Sequence, residues 1–334
     1  MKASSSLRQA ARILIGALLI PLFWTASPTL VGAAEVKTIA VIPKGTTHVF
    51  WQSVHAGAVK AEREIPGIKV IWQGPLREDD HNSQISIVQN HVAKGTDAIV
   101  LAPSDARAMR NAVHAANVRK IPVVIIDSDI ERQGIKIVSY IATDNYKGGQ
   151  MAAEKMNQLL GGKGNVIMMR YAVGSASTEA REKGFMDTIA KFPGIKVISS
   201  NQYAGATSET AMQTAGNIMS AQKDFQGFYA PNESSVFGML RALQNHGLAG
   251  KVKVVGFDAS AKMIEAMKAK EVDALVTQDP FKIGYEGVKA AVAALKGEKV
   301  PARLDTGCAV VTLENLNDPA IKAMIQPPLE QYLK

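Results

Sequence analysis

A single cysteine, Cys308, occurs in 334 residues. One thiol cannot form an internal disulfide, so the fold has to be held by buried apolar surface. Basic residues form no run or stripe, which argues against nucleic acid as a partner. The six histidines, at 48, 55, 81, 91, 114 and 246, contain no His-Glu-x-x-His doublet, so no metal centre is expected. There is no Gly-x-Ser-x-Gly elbow. Gly161-Gly162-Lys163-Gly164 lacks the spacing of a phosphate loop and precedes a strand pattern, so it reads as a turn. The first strand runs into Lys44-Gly45-Thr46-Thr47 rather than a dinucleotide fingerprint. No motif carries an enzyme reading, and no cofactor is implied.

Long apolar runs are also missing. Lys2, Arg8 and Arg12 open the chain without an acid, and Ile13–Trp24 is a twelve-residue apolar stretch broken by Pro21. Small residues follow at Val31-Gly32-Ala33-Ala34. This is the layout of a secretory signal peptide over residues 1–34, cleaved near Ala33 or Ala34. The stretch is shorter than the roughly 20 residues a spanning helix needs. Export to the periplasm is therefore expected, without stable membrane insertion after cleavage. Losing the three basic residues lowers the net charge from +8 to +5. The remaining ~300 residues suffice for two domains with proper cores.

What the chain does contain is a repeat. Pro-Gly-Ile-Lys-Val-Ile occupies 66–71 and again 193–198, an offset of 127. Thr38-Ile-Ala-Val-Ile-Pro-Lys-Gly aligns with Asn165-Val-Ile-Met-Met-Arg-Tyr-Ala at the same offset. Ala102-Pro103-Ser104-Asp105 aligns with Ala230-Pro231-Asn232-Glu233 at 128, and Ile125-Ile126-Asp127-Ser128 with Gly256-Phe257-Asp258-Ala259 at 131. Too long for a solenoid period, this slow drift fits two copies of one α/β unit.

Val/Ile-rich runs at 38–43, 68–73, 97–102, 121–126, 136–142, 164–170, 195–200, 226–230, 252–257 and 272–277 read as strands. Amphipathic stretches at 52–64, 82–94, 105–118, 145–160, 179–191, 207–221, 234–246, 260–269 and 283–296 read as helices. Alternation of this kind gives two doubly wound, Rossmann-like lobes with parallel sheets around a cleft. The expected boundaries are 35–144 plus 279–307 for the N-terminal lobe and 145–278 plus 308–334 for the C-terminal lobe, with three crossovers.

Ligands of open parallel sheets bind beyond the carboxyl ends of the strands. Those positions hold Lys44, Asp127-Ser128-Asp129, Asn232-Glu233, Asp258 and Gln278-Asp279. Carboxylates, an amide and an ammonium are suited to a polyhydroxylated ligand. Each could equally start a loop or cap a helix; Asp258 could cap the helix at 260. Aromatic residues are only 6% of the chain, so the sequence His48-Val49-Phe50-Trp51 stands out, since flat rings stack on the C–H face of a sugar. Alternatively, one ring of the pair packs into the core. Trp72, inside a strand, reads as core.

The chain resembles the periplasmic sugar-binding proteins of ABC transporters, in the ribose-binding branch that shares its fold with LacI-type repressors. The resemblance is carried by Ala98-Ile-Val-Leu-Ala-Pro-Ser-Asp105, Ile121-Pro-Val-Val-Ile-Ile-Asp127, Ile141-Ala-Thr-Asp-Asn145 with Gly148-Gly149, and Ser177-Thr178 with Arg181 and Gly184-Phe185. It continues through Leu240-Arg-Ala-Leu243, Val254-Val-Gly-Phe-Asp258, Gln278 with Ile283-Gly284, and Leu295-Lys-Gly-Glu-Lys-Val300. It implies sugar contacts at Lys44, Phe50, Trp51, Asp127, Asn232, Asp258 and Gln278, and it adds Arg181. It also implies an ABC permease as partner, a monosaccharide or polyol as ligand, and a monomer. Ribose binders typically carry Ser at Lys44, Asn at Ala102 and Arg at Ser128, departures that argue against ribose itself. Ile-Pro-Lys at 42–44 and Asp-Ser-Asp at 127–129 are closer to autoinducer-2 binders, so a periplasmic sensor feeding a receptor is the alternative. A LacI-like regulator would need a helix-turn-helix before the first strand, where the signal peptide lies.

Overall fold

Parallel pairing begins at the repeated hexapeptide. The structure, a computed structural model, describes residues 36–334; the expected signal peptide and its cleavage site lie outside them. Lys37 N donates to Gly67 O, and 127 residues later Gly164 N donates to Gly194 O. The two copies therefore start their sheets with the same bond.

The first copy runs β1 (Lys37–Ile42), α1 (Val49–Glu64), β2 (Ile68–Trp72), α2 (His81–Lys94), β3 (Ala98–Leu101), α3 (Arg110–Val118), β4 (Val123–Ile126) and β5 (Tyr140–Ala142). The second runs α4 (Asn145–Leu160), β6 (Gly164–Met168), α5 (Ala176–Ile189), β7 (Ile195–Ser199), α6 (Ser208–Ala221), β8 (Gly227–Tyr229), α7 (Glu233–Asn245), β9 (Lys253–Phe257), α8 (Ala261–Lys268) and β10 (Ala274–Gln278). The chain then returns through α9 (Pro280–Leu295) and β11 (Arg303–Asp305), crosses to β12 (Cys308–Val311), and ends in α10 (Pro319–Ile325) and α11 (Leu329–Leu333).

The sheet orders are β11-β5-β4-β3-β1-β2 and β12-β10-β9-β8-β6-β7, the same order in both copies. Only the last strand breaks the match: β11 pairs parallel to β5, whereas β12 pairs antiparallel to β10. Apolar side chains cover both faces, as a buried parallel sheet requires. The chain passes between sheets at 142–145, 278–280 and 305–308. The tail straps the arrangement, since α11 lies against α1 of the first copy while α10 lies against β10 of the second.

Each copy also joins two helices through a pair of glycines. A Cβ on Gly57 would lie 1.9 Å from Phe281 O, and one on Gly284 would lie 1.9 Å from Val54 O, where α1 crosses α9. In the second copy, a Cβ on Gly149 or Gly184 would lie 2.0 Å from Arg181 O or 2.1 Å from Tyr146 O, where α4 crosses α5. Nothing larger than hydrogen fits at these crossings.

Two boundaries differ from the sequence reading by more than three residues, and four short elements are new. The helix expected over 105–118 begins at Arg110, because Asp105 accepts from Arg107 N and Ala108 N and folds residues 103–109 into a turn. The strand expected over 136–142 shrinks to Tyr140–Ala142. The strands β11 and β12 and the helices α10 and α11 were not anticipated; pieces of three to seven residues have too few positions to show a period.

Candidate functional site

The strand ends of the two copies face each other across the cleft, and Asp127 and Asp258 occupy equivalent places in it. Each follows the fourth strand of its copy, and each donates its N–H to the neighbouring strand: Asp127 N to Ile141 O at 3.0 Å and Asp258 N to Val276 O at 2.9 Å. Both adopt a left-handed backbone, with φ of 60° and 71°. Asp tolerates this region better than most residues, and the turn aims both carboxylates inward.

Around them converge Lys44, His48, Phe50 and Trp51 from the first copy, and Arg181, Asn232 and Gln278 from the second. The remaining cavity is about 20 Å³, room for about one water. Cross-cleft contacts close it. Lys44 Nζ lies 2.9 Å from Asp127 Oδ2 and donates to Ser177 Oγ at 3.0 Å across the cleft. Asp127 Oδ2 is buried and has no hydrogen bond of good geometry, so its contact with Lys44 is chiefly Coulombic. Tyr171, which the repeat places opposite Lys44, reaches the other way and donates to Glu78 Oε2 at 2.7 Å.

Asp258 accepts from Gln278 Nε2 at 2.6 Å and from Glu233 N at 2.9 Å. Arg181 donates to Asn145 Oδ1 at 2.8 Å and to Pro231 O at 2.9 Å, stands 3.9 Å from Asp258 and stacks 3.8 Å over the Phe257 ring. Asn232 caps α7 by accepting from Ser235 N. Burial pushes the Asp258 carboxyl above its ordinary range; Arg181 and Gln278 oppose this. Ser260, not Asp258, caps α8, which leaves the Asp258 carboxylate to the cleft.

Of the expected residues, Ser128 and Asp129 lie outside this cluster. Ser128 is buried and its Oγ accepts from Ser177 N at 3.0 Å, holding the two copies together. Asp129 is half-buried and paired with Arg132. Trp51 both lines the site and packs in the core: only 1% exposed, it donates its indole N–H to Glu78 at 2.7 Å and meets Phe50 edge-on. Trp72 is half-buried and stacks on His55.

Of two further carboxylates in the cluster, Glu78 was not anticipated, and Glu233 was reached at a strand end without its role across the cleft. Glu78 lies six residues past β2, in a loop that the strand-end rule reaches only if it is carried well beyond the strand. Glu233 opens α7, yet its carboxylate crosses the cleft and accepts from Val49 N at 3.1 Å and Phe50 N at 3.0 Å. It thereby caps the first turn of α1, whose own N-cap residue, His48, makes no side-chain cap bond. Ser177 and Thr178 also line the site; they had entered only through the family resemblance.

His48 donates to Glu78 at 2.9 Å. Burial alone would lower the imidazole pKa, but the Glu78 carboxylate, with Glu233 and Asp258 behind it, pushes it up to about 9. Burial likewise opposes ionisation of Glu78, and His48 and Lys44 overcome it, holding that carboxyl well below its ordinary range. Because the folded pKa of His48 lies above its unfolded value, its stabilisation is complete below about pH 6.5 and is lost as the pH rises through about 9. Urea unfolding of wild type and His48→Gln should therefore differ by up to about 3 kcal/mol in neutral solution and converge in alkaline solution. A difference independent of pH would place the effect in packing instead.

Comparison with known proteins gives consistent relatives. A model of the periplasmic binding protein domain matches residues 39–299. The ribose import binding protein of Salmonella typhimurium is 32% identical over 280 residues, covering 83% of this chain and 91% of that protein. A solute-binding protein of Agrobacterium vitis, solved with bound D-fucose, superposes with a TM-score of 0.83 at 35% identity, covering 86% of this chain and 99% of that one. One from Agrobacterium radiobacter, solved with D-arabinose, does so at 0.83 and 37%, covering 88% and 100%.

Proposed function

The chain belongs to the periplasmic binding protein family, and from that premise we propose that it binds a monosaccharide or similar polyol in the cleft and delivers it to an ABC permease. The observation that carries this reading is the convergence of Lys44 and Asp127 from one lobe with Arg181, Asn232 and Asp258 from the other, beside the Phe50 and Trp51 rings. A hydroxylated ring needs donors and acceptors around its edge and a flat apolar face below it. This cluster offers both. The sugars bound by the two Agrobacterium proteins are pentose-sized or slightly larger, and the same class is proposed here.

The lobes are proposed to be 35–144 with 279–307 and 145–278 with 308–334, turning about the three crossovers. A ring held by both lobes favours the closed arrangement over the open one, which gives a permease two states to distinguish. No helix among the described residues is long and apolar enough to cross a membrane. Export by a cleaved leader completes the proposal and places the mature monomer in the periplasm.

The test is a thermal-shift screen against D-arabinose, D-fucose, D-ribose, D-allose, D-tagatose and myo-inositol, with calorimetry on each hit. Binding at a hundred times Kd stabilises the native state by about 2.7 kcal/mol. For a chain of this size that raises the melting temperature by several degrees, at ~2–4 °C per kcal/mol. A flat response to the whole panel would reject the sugar reading.

A further inference from the structure

A second cavity, of about 230 Å³, lies directly behind the candidate site and shares Phe50, Glu233, Asp258 and Gln278 with it. We propose that it receives an apolar substituent carried by the sugar, so that the ligand class includes alkyl or aryl glycosides; this rests on the sugar reading of the cleft.

Three features point there. Its far wall is largely apolar, made of Val49 and Pro280 with Met324, Ile325, Pro327 and Leu329 of the tail. Buried polar side chains on its near wall already have partners inside the protein. Glu233 accepts from Val49 N and Phe50 N, and Asp258 from Gln278 and Glu233 N. Ser53 donates to Val49 O, Ser260 caps α8, and Thr277 Oγ1 lies 3.4 Å from Gln278 O. A hydroxyl placed against the far wall would find no side-chain partner among Val49, Pro280, Met324, Ile325, Pro327 and Leu329 and would be desolvated at a cost. An apolar group meets no such penalty. Size is the third feature, since an apolar cavity of about 150 Å³ holds a benzene-sized ring. Phe50 lines both spaces, as do Glu233, Asp258 and Gln278, so the apolar pocket adjoins the hydroxyl-binding groups directly.

Calorimetry with D-fucose, D-arabinose and both anomers of their phenyl glycosides tests the proposal on wild type, Ala261→Trp and Gln326→Trp. Both substituted positions are exposed at the cavity rim, so the variants should fold, which melting curves verify. At least one phenyl glycoside should bind wild type as tightly as its free sugar or more tightly. The tryptophan plugs should weaken that glycoside at least tenfold and leave the free sugar within about twofold. Free-sugar binding with no glycoside binding, or plugs that weaken both ligands equally, would overturn the inference while sparing the sugar reading. If neither sugars nor glycosides bind, both fall together.

Discussion

Asp127→Ala and Asp258→Ala should each abolish detectable sugar binding while the protein stays folded. In the first variant Lys44 is left as a buried ammonium without its counter-charge, a loss of about 3–5 kcal/mol when one partner of such a pair is removed. In the second, Gln278 Nε2 and Glu233 N lose their acceptor and Arg181 its nearest carboxylate. Unpaired ligand hydroxyls add roughly 1–3 kcal/mol per group. Alanine is also strained at φ of 60–71°, so the Asn variants serve as controls, because Asn accepts this conformation and removes only the charge. Calorimetry decides the matter: near-wild-type affinity in either Ala variant removes that residue from the site. Lys44→Ser, which restores the hydroxyl typical of ribose binders, should weaken the ligand about tenfold or more, ~1.4 kcal/mol.

Gly284→Val should be strongly destabilising without touching the candidate site. The added Cβ would meet Val54 O at 1.9 Å and Ala58 N at 3.1 Å, both backbone atoms that cannot rotate away. The helices α1 and α9 have to separate, and with them the first sheet loses its cover. Overpacking of this kind costs typically about 1–3 kcal/mol, and the backbone clash places this variant at or above the upper end. The melting temperature should fall by roughly 6–12 °C for a chain of this size. Gly149→Val should do the same at the α4–α5 crossing and also disturb Arg181, whose carbonyl lies 2.0 Å from the new Cβ. Gly216→Ala is the contrast. It lies mid-helix in α6 with only His246 Cε1 at 3.7 Å, so it should stabilise by about 0.5–1 kcal/mol. A Gly284→Val protein melting within about 2 °C of wild type would mean that the helices can part without cost.

Much of the architecture follows from the sequence because its signals are local. Val/Ile runs such as Ala98–Leu101 and Val123–Ile126 are apolar at every position, which only a strand covered on both faces requires. The offset of 127 announced two matching sheets, and it also places Tyr171 opposite Lys44 and Asp258 near the position of Asp127. Strand-end logic then reached Lys44, Asp127, Asn232, Asp258 and Gln278 without knowledge of either sheet's order.

Tertiary structure decided which of these residues meet and what else joins them. Ser128 and Asp129 are neighbours of Asp127 in sequence, yet one braces the lobes and the other turns to solvent, because a left-handed residue at 127 redirects the chain. Glu233 reads as an ordinary first-turn carboxylate of its own helix, and only the approach of the other lobe puts the α1 amides within 3.1 Å of it. Glu78 has no local pattern at all; its three partners, His48, Trp51 and Tyr171, come from separations of 30, 27 and 93 residues. The cavity beside Phe50 is bounded by the tail helices, whose few residues carry no period. Sequence periodicity encodes which face of an element is buried, whereas a cross-cleft hydrogen bond depends on the placement of two separately folded sheets.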